Sequence, residues 1–521
     1  MPATESPFVD VTLSLADLVG EDYLEAVCEA RSLLSGESLA DLRAVATTPV
    51  SLYPADFHAR LLDRLPSVGT LLRPTPLTSA PGATSSDFVR ATHTSMAPLT
   101  GFGFYRLGED GRLYLTTKSE HYHTPVGHSF PGYRLLDIAR RLGIPNATHN
   151  NTRGHITRLL EQELVRTANG LAPEDASGLE ATLSSTQPGV LNGVLNLETG
   201  SLAAEAALKM MLARFFRSQD DVPAPLYQGR TPVFLVLGND DGGLHANYHG
   251  TTVLTQLLRG MWPEFLQALR NQGAFEVCAV RPNHLEDLDA AFARYEQPPY
   301  KLAGFFHEIV LMNYGARLLT REFLNHAYSL CAAHDVPVAV DEIQSCLWAP
   351  SLFLFREYDL KPSFVILGKG MPGGEYAASR LVFSRSMDDL PQFGALVTNG
   401  QEEIASLAYL VTMRWALANS EVTRQMGDYY QERLTDFADR HRDRIQGFCG
   451  LRHLGALAFD DLTEARSFVS RLGEKGLDAS AQTYKADCPP VALTKLPLLA
   501  CRRTVDFVLD RMEESLRRPG N

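Results

Sequence analysis

In two segments of the chain, a buried, strand-like run ends in polar side chains that could do chemistry. Residues 338–344 read VAVDEIQ and bring two carboxylates and an amide to the end of such a run. Residues 364–374 read FVILGKGMPGG and place Lys369 between two glycines, after four apolar residues. Glycines let a backbone and a ligand approach closely, and a partly desolvated ammonium has the lowered pKa that a Schiff-base nucleophile needs. The pattern indicates covalent chemistry at a lysine amine.

The elements that must hold these residues have the pattern of an α/β fold. From about residue 185, short β-branched runs alternate with helical stretches, which predicts a largely parallel sheet. Ligands of such sheets bind beyond the carboxyl ends of the strands, where the polar residues of both segments lie. The predicted strands are Val233–Leu237, Phe275–Val280, Gly304–Leu311, Val336–Val340, Phe364–Leu367 and Arg380–Phe383.

The sequence pattern changes along the chain, and we divide the chain into predicted units at these changes. Short helical patterns broken by prolines make residues 1–95 an N-terminal extension, and a turn signal at residues 109–111 predicts a hairpin after it. The predicted units are the extension 1–95, an N-terminal part of a small domain with a linker at 96–184, a large α/β domain at 185–400 and a C-terminal small domain at 401–521.

The amino-acid composition limits the classes of protein to which this chain can belong. The 521 residues are 45% apolar and 21% charged, which is ordinary for a globular enzyme, and the formal charge of -13 argues against nucleic acid or an anionic membrane as a partner. No apolar run is long enough to span a membrane. The seven cysteines are scattered without a CxxC pair, as in a reduced cytoplasmic protein. We therefore expect a cytoplasmic enzyme with small-molecule substrates.

The two polar segments resemble the motifs of a known family. Over roughly residues 100–515 the chain resembles the class III aminotransferases of the ornithine and acetylornithine type, which are fold-type I enzymes dependent on pyridoxal 5′-phosphate. The resemblance implies that Asp341 bonds the pyridine nitrogen, that Gln344 donates to the ring 3′-oxygen and that Lys369 holds the aldehyde as a Schiff base. Lys369 follows Asp341 by 28 residues, close to the family's spacing.

Two further segments resemble the family's phosphate site. Residues 197–209 resemble its turn into a helix, so Gly200 and Ser201 would offer donors to the cofactor phosphate at a helix N-terminus. Residues 396–404 resemble the turn whose threonine reaches a phosphate in the neighbouring subunit. That residue would be Thr398, and its role implies a homodimer with shared active sites.

The remaining site residues come from weaker parts of the resemblance. Tyr248 and His249 match an aromatic-His-Gly segment, in which the aromatic ring stacks on the pyridine. Glu308 takes the acid position of a strand that ends in Glu-Pro in the family, although Ile309 replaces the proline. Lys495 is the nearest candidate for a C-terminal arginine that pairs with a substrate carboxylate. Glu308 and Lys495 are therefore candidate substrate residues.

The chain also departs from the family's pattern. After the DEIQ motif the family continues Thr-Gly-Phe-Gly-Arg-Thr-Gly, whereas residues 345–350 read SCLWAP. The phosphate helix has Leu202 and Ala204 where Glu and Asn are common. A lysine at position 495 would bind a carboxylate as a point charge and not as a bidentate fork. Substrate choice is therefore the least determined property.

A metal site is the main alternative for a histidine-rich stretch, and we do not expect one. The spacing of His121, His123 and His128 matches no zinc pattern. No metal is therefore among the expected cofactors.

The resemblance implies a fold, an activity and an assembly. The fold is a large domain with a mostly parallel seven-stranded sheet, joined to a smaller α+β domain built from N- and C-terminal segments. The activity is transamination between an amino acid or amine and an oxo acid or aldehyde, in a ping-pong cycle. A decarboxylase, racemase or aminomutase on the same fold stays open as an alternative. A non-catalytic protein of this fold, which would bind the cofactor without turnover, is a further alternative.

Overall fold

The computed structural model describes most of the chain. Among its residues, no helix is both long and apolar enough to cross a membrane. Two histidines of the stretch considered above, His121 and His123, lie outside the described residues, which are 6–118, 124–146, 152–398, 400–482 and 488–517.

The N-terminal extension folds as a layer of short helices. Phe57, Leu61 and Leu62 of one of these helices are buried, as expected of an amphipathic helix with apolar residues at helical spacing. The ring centroid of Tyr53 lies 5.2 Å from that of Phe8, within the extension, and 6.0 Å from that of Trp415. Because Trp415 belongs to the C-terminal half of the chain, the layer packs on that half. Its elements are β1 (Thr12–Leu13), α1 (Leu15–Val19), α2 (Glu21–Ser35), α3 (Leu39–Ala46), β2 (Val50–Ser51), α4 (Ala55–Arg64) and α5 (Ser86–Ala91).

The predicted hairpin follows the extension and is confirmed. Two strands pair antiparallel about the turn, with Tyr105 opposite Leu115. Three helices then lead toward the large domain. The elements are β3 (Pro98–Phe102), β4 (Tyr105–Gly108), β5 (Leu113–Thr116), α6 (Arg134–Arg141), α7 (His155–Asn169) and α8 (Ala176–Ser184).

Strands and helices alternate through the next two hundred residues, as the sequence pattern predicts. The elements are β6 (Leu191–Leu197), α9 (Gly200–Ala213), β7 (Thr231–Leu237), α10 (Val253–Leu258), α11 (Pro263–Asn271), β8 (Glu276–Val280), α12 (Leu285–Tyr295), β9 (Tyr300–His307), β10 (Val310–Leu311), β11 (Arg317–Leu318), α13 (Arg321–Ala333), β12 (Val338–Asp341), α14 (Leu354–Glu357), β13 (Phe364–Leu367) and β14 (Ser379–Ser384).

Seven of these strands form the central sheet, in the order β6-β14-β13-β12-β9-β7-β8. Every neighbouring pair is parallel except the two that involve β14. The mostly parallel seven-stranded sheet is therefore confirmed. The six predicted strands are all present, and β6 is the seventh. The strand predicted at Gly304–Leu311 ends at His307, because Val310 and Leu311 pair in a separate hairpin with β11.

Close packing of α9 on the sheet explains one glycine in a strand. The buried face of α9 carries small and flexible side chains, including Ala203, Ala207 and Met211. A Cβ on Gly304 of β9 would lie 2.2 Å from the sulfur of Met211. The flexible side chain of Met211 would have to move to admit such an atom, so the close approach of α9 favours glycine at this point of the sheet.

The C-terminal part of the chain adds a strand to the N-terminal hairpin. Strand β17 pairs in parallel with β5, so a four-stranded sheet in the order β17-β5-β4-β3 joins both ends of the chain. The boundaries of the four predicted units remain a prediction. The C-terminal elements are α15 (Glu403–Ala418), α16 (Ser420–Arg440), β15 (Ile445–Leu451), β16 (Leu454–Phe459), α17 (Leu462–Glu474), β17 (Leu477–Asp478), β18 (Val491–Thr494) and α18 (Arg502–Leu516).

A buried ion pair links the N-terminal and C-terminal strands of this four-stranded sheet. Removing the pair tests how the two ends of the chain are held together. The guanidinium of Arg106 on β4 pairs with the carboxylate of Asp478 on β17, and Nζ of Lys118 lies 3.0 Å from the same carboxylate. Asp478→Asn would remove the negative charge that this buried guanidinium pairs with. We expect a loss of about 3 kcal/mol or more in the free energy of unfolding, measured by chemical denaturation.

The matched control is Asp87→Asn, which removes the carboxylate of the exposed Arg90–Asp87 pair. It should change the free energy of unfolding by less than about 1 kcal/mol. Equal effects of the two substitutions would show that the buried pair does not hold the two ends of the chain together.

Candidate active site

A cavity of about 430 Å³ lies at the carboxyl ends of the central strands. This volume suits a small ligand, and the position is where parallel sheets bind ligands. A larger groove of about 1440 Å³ lies at the opposite end of the sheet, beside the starts of β12 and β13. The groove contains none of the predicted site residues, whereas the cavity is lined by Gly200, Ser201, Tyr248, His249, Glu308, Asp341, Gln344 and Lys369.

Lys369 reaches the cavity from a tight turn directly after β13. Its φ of 44° lies in the left-handed region, which is strained for a residue with a side chain. A Cβ on Gly368 would lie 2.9 Å from Ile343, and one on Gly370 would lie 3.0 Å from Pro125. The packing around the turn therefore explains both flanking glycines. Strain of this kind, about 1 to 3 kcal/mol, is concentrated at functional sites.

Asp341, the last residue of β12, is buried and held by two donors. Nδ1 of His249 lies 2.9 Å from its Oδ2, and the backbone N–H of Ile343 donates to its Oδ1 at 3.1 Å. Both His249 and Asp341 are almost fully buried. A buried carboxylate that accepts two hydrogen bonds is fixed in one orientation, and a cationic group in the cavity would compensate its charge.

A helix N-terminus forms another wall of the cavity. Thr199 caps α9, with its Oγ1 accepting from the backbone N–H of Leu202 at 3.4 Å, and α9 begins at Gly200. The backbone N–H of Thr251 donates to Oγ of Ser201 at 3.1 Å. A Cβ on Gly250 would lie 2.7 Å from Ser201, so the two segments meet closely. Free backbone N–H groups at such a helix end favour an anion.

Tyr248 and Glu308 face the same cavity. The ring of Tyr248 is half-buried and lies 5.3 Å from the guanidinium of Arg259. Glu308 is buried and follows the last residue of β9, His307.

Burial lowers the pKa of His307 to about 3, and its Nε2 lies 3.0 Å from the hydroxyl of Tyr328. His307 therefore stays neutral and fixes the end of β9.

Two predicted residues lie away from the cavity lining. Thr398 is exposed and does not line the cavity of its own chain. Lys495 is buried behind the site, where its Nζ donates to the backbone carbonyl of Gln344 at 2.7 Å and lies 3.7 Å from the ring centroid of Trp348. The structure thus brings eight of the ten predicted residues to one cavity, and the role of Lys495 as a substrate residue remains a prediction.

Several lining residues were not identified from the sequence. They include Glu198 and Thr199 before α9, Asn313 after β10 and Tyr376 before β14. Thr199 carried a usable signal, because a threonine before a glycine-led helix is a typical N-cap. The others occupy loops whose position depends on packing between distant segments.

Glu342, next to Asp341, has a supporting position. It is fully buried, and its carboxylate accepts from the hydroxyl of Ser345 and from the backbone N–H of Phe355 at 2.6 Å. Burial raises the pKa of Glu342 to about 7, against the smaller lowering effect of these donors. The carboxyl ties the segment after β12 to α14 and so supports the end of β12.

The groups at the cavity fit pyridoxal 5′-phosphate. They comprise a helix N-terminus with a hydroxyl for the phosphate, a carboxylate for the protonated ring nitrogen, an amide for the ring oxygen and an amine for the aldehyde. Among the described residues, the side-chain oxygen of Gln344 and Nε2 of His249 are buried and have no hydrogen-bond partner. Because buried polar groups are normally paired, both atoms suit a site that holds a polar ligand.

The chain matches a family profile and several curated proteins. The profile of the family described as Aminotransferase class-III matches residues 101–486. An ornithine aminotransferase of Schizosaccharomyces pombe is 33% identical over 109 residues, which is 21% of this chain and 24% of that protein. An acetylornithine aminotransferase of Aquifex aeolicus is 23% identical over 214 residues, 40% of this chain and 54% of that protein. These two matches thus span less than two thirds of either relative.

Solved structures are similar over a longer part of the chain. An ornithine aminotransferase from Toxoplasma gondii has a TM-score of 0.63 at 18% identity and covers 83% of this chain and 95% of its own. A transaminase from the marine bacterium Virgibacillus has a TM-score of 0.64 at 16% identity and covers 84% of this chain and 95% of its own. At this identity the likeness shows the fold, which is that of fold-type I aminotransferases.

The raised pKa of Glu342 predicts a pH dependence of stability. Because the folded protein keeps this proton to about pH 7, the associated stability is present below the ordinary pKa of glutamate and is lost as pH rises toward 7. The wild type should therefore lose stability relative to Glu342→Gln by about 1 kcal/mol per pH unit between about pH 5 and pH 7, measured by urea unfolding.

The exposed Glu432 provides the control, and Glu432→Gln should follow the wild type at each pH. A difference between wild type and Glu342→Gln that stays constant with pH would mean that Glu342 is ionised throughout this range.

Proposed function

The chain belongs to the class-III aminotransferase family, and we propose that it is a pyridoxal-phosphate-dependent enzyme that moves an amino group between an amino acid or amine and an oxo acid or aldehyde. The observation that supports this most directly is the cavity in which the Lys369 amine, the Asp341 carboxylate and the N-terminus of α9 meet. An amine, an acid and an anion site are the three groups that the cofactor and its chemistry require.

The residues divide the work of holding the cofactor. The N-terminus of α9, with the hydroxyl of Ser201, binds the phosphate. The carboxylate of Asp341 keeps the proton on the ring nitrogen, while the His249 N–H that donates to it fixes its orientation. Tyr248 covers the ring, and Gln344 reaches the ring oxygen. The bound cofactor supplies an electron sink for the bond that breaks at the substrate α-carbon.

Lys369 acts twice in this proposal. Its Nζ lines the cavity and is the amine that would hold the aldehyde of the cofactor. Once an amino substrate takes its place, the free Nζ would act as the base that removes the proton from the substrate carbon and as the acid that returns it, while the cofactor would supply the electron sink. The strained turn between Gly368 and Gly370 keeps this amine at the cavity throughout both steps.

For the substrate we propose an amino acid of the ornithine type, with one nitrogen on its α-carbon and a second nitrogen at the end of its side chain. The matched relatives are named for ornithine and acetylornithine, so these are the first donors to test. The buried Glu308 lines the cavity, and a carboxylate there favours a ligand that carries a cationic group. With such donors, absorbance should move from the cofactor-aldehyde band to that of its amine form, whereas carbon dioxide release or inversion without this shift would indicate the alternative chemistries.

The covalent role of Lys369 gives the decisive prediction. Borohydride treatment of the wild type should fix the cofactor on the peptide that contains residue 369, as read by mass spectrometry. Lys369→Ala should lose this adduct and lower the rate of amino transfer by about a thousandfold or more, because the proton shuttle is removed.

Lys361→Ala is the control, since Lys361 is an exposed lysine of the same domain. It should keep the adduct and the activity. A wild type that takes up no cofactor, or a Lys369→Ala protein with full activity, would overturn the proposed function.

We further propose a homodimer in which Thr398 of one subunit contacts the phosphate in the other. Thr398 is exposed and lies outside the cavity of its own chain, which fits a role toward a partner. Val253, Trp262 and Phe265, in the segment after the cavity residue Gly250, are large apolar residues that are about half exposed. Aromatic and apolar residues of this kind are typical of subunit interfaces.

Hybrid dimers test the shared site. Thr398→Val should weaken cofactor binding by about tenfold, because a hydrogen bond to a charged phosphate is lost. Co-expression of Thr398→Val with Lys369→Ala should give hybrids with one intact site, since the intact lysine and threonine then face each other. The measurement is activity of the purified, doubly tagged hybrid at limiting cofactor.

If both residues acted within one chain, the hybrid would contain no intact site. Its activity at limiting cofactor would then stay at the level of Thr398→Val, which would contradict the shared site.

We propose a cytoplasmic location as well. All seven cysteines are free thiols in the structure, which suits a reducing compartment. Fractionation of cells that express the tagged chain tests this directly.

A further inference from the structure

A fully buried arginine lies beside the end of the cavity that we assign to the phosphate. Arg380 is the second residue of β14 and is 1% exposed. It pairs across the sheet with Asn196 of β6, whose continuation forms the turn into α9. Arg380 is therefore attached to the strand that carries the anion-binding helix end, but its side chain is not part of the cavity wall.

The guanidinium of Arg380 bonds only neutral acceptors among the described residues. Nη1 donates to the carbonyls of Ser379 at 2.8 Å and Leu197 at 3.3 Å, and Nη2 donates to the hydroxyl of Ser406 at 3.2 Å. Nε of Arg380 is buried and has no hydrogen-bond partner in the described part of the chain. The guanidinium carbon also lies 5.0 Å from the ring centroid of Tyr409. A buried cation without a bonded carboxylate is costly unless another negative charge lies near it.

Two carboxylates, those of Glu161 and Glu402, act on Arg380 without bonding it, and Glu161 has other partners. Glu161 accepts from Nδ2 of Asn196 at 2.6 Å and lies 3.4 Å from the guanidinium of Arg153. Burial raises the pKa of Glu161, and burial lowers the pKa of Arg380 against the weaker pull of Tyr409, Glu161 and Glu402. The protein itself therefore leaves the charge of Arg380 incompletely balanced.

One bond of Arg380 leads to the segment before α9, and the chain just before Arg380 also lines the cavity. Leu197, whose carbonyl it holds, is followed by Glu198, Thr199 and Gly200, all of which line the cavity. Ala378, two residues before Arg380, also lines the cavity, and its carbonyl accepts from the hydroxyl of Tyr409 at 3.0 Å. Because Arg380 is 1% exposed, its charge is poorly screened by solvent, and electrostatic interactions of such a buried charge are strong.

We propose that Arg380 is a positioning residue for the cofactor phosphate. Its charge favours the phosphate dianion at the N-terminus of α9, and its bonds to Leu197 and Ser379 hold the strand ends that form this anion site. The inference rests on the proposed function, because it takes the bound anion to be the phosphate of pyridoxal phosphate.

The test separates the phosphate from the rest of the cofactor. Apoprotein is titrated with pyridoxal 5′-phosphate, with pyridoxal and with inorganic phosphate as a competitor, and binding is followed by absorbance and by the shift in Tm. Arg380→Gln and Arg380→Met remove the charge, and the methionine keeps packing against Tyr409. We expect about tenfold weaker binding of pyridoxal phosphate and of inorganic phosphate, with the affinity for pyridoxal unchanged.

Two further variants complete the design. Arg380→Lys keeps a cation and should recover most of the preference for phosphate. Arg385→Gln is the matched control, since Arg385 lies just after β14 and its Nη1 likewise donates to a backbone carbonyl, that of Leu183 at 3.1 Å. It should bind all three ligands like the wild type.

Each outcome decides the proposal. Equal weakening of pyridoxal and pyridoxal phosphate would show a structural role alone and overturn it, as would failure of both neutral variants to fold by circular dichroism. Unchanged binding of inorganic phosphate in a folded neutral variant would also overturn it. A wild-type protein that binds no pyridoxal phosphate would instead contradict the proposed function, so the two failures are distinguishable.

Discussion

The parallel pairing of β12 with β13 is the constraint on which the site depends. In this register Asp341 lies opposite Ile366, so β12 ends where β13 continues for one more residue before the turn that carries Lys369. Two strands that run in the same direction end at the same edge of a sheet, which brings the carboxylate and the amine to one cavity. A shift of one residue would turn Asp341 to the other face. The chemistry therefore depends on the hydrophobic pattern that fixes the register.

The segment after β12 is held by contacts that replace the glycine-rich turn expected from the family. The carboxyl of Glu342 accepts from the backbone of α14, and the indole N–H of Trp348 donates to the carbonyl of Leu496 at 3.0 Å. Lys495 donates to the carbonyl of Gln344 and packs on the ring of Trp348. The C-terminal part thus supports the backbone of a predicted cofactor-binding residue, and the unusual sequence at residues 345–350 packs as part of the core.

The sequence predicted those parts of the molecule that depend on local pattern. Apolar runs with β-branched residues identified six strands of the sheet, and their polar ends pointed to Asp341 and Lys369. Strand β6, with sequence LNGVLNL, was missed because two asparagines and a glycine interrupt its apolar pattern. The asparagines are tolerated because their side chains bond partners outside the ladder, as Asn192 does with the carbonyl of Ser185 at 2.6 Å.

The position of Lys495 could not be predicted from local pattern. Its nearest partner, the carbonyl of Gln344, is 151 residues away in the chain, and no local signal records such a contact. The helical layer of the extension presents the same difficulty, since its packing partner Trp415 lies in α15. Local propensity and periodicity specify elements, whereas the partners of buried polar and aromatic groups follow from the assembled fold.

The charged and polar groups around the cavity form an electrostatic field with a definite direction. The N-terminus of α9 makes one end positive, and the carboxylate of Asp341 makes the other end negative. Pyridoxal phosphate has the complementary polarity, with an anionic phosphate at one end and a protonated nitrogen at the other. These groups would therefore favour one orientation of the cofactor, with the phosphate toward α9, the ring nitrogen toward Asp341 and the aldehyde toward Lys369. Because fixed dipoles and buried charges need no reorganisation on binding, the site can orient the cofactor before any substrate arrives.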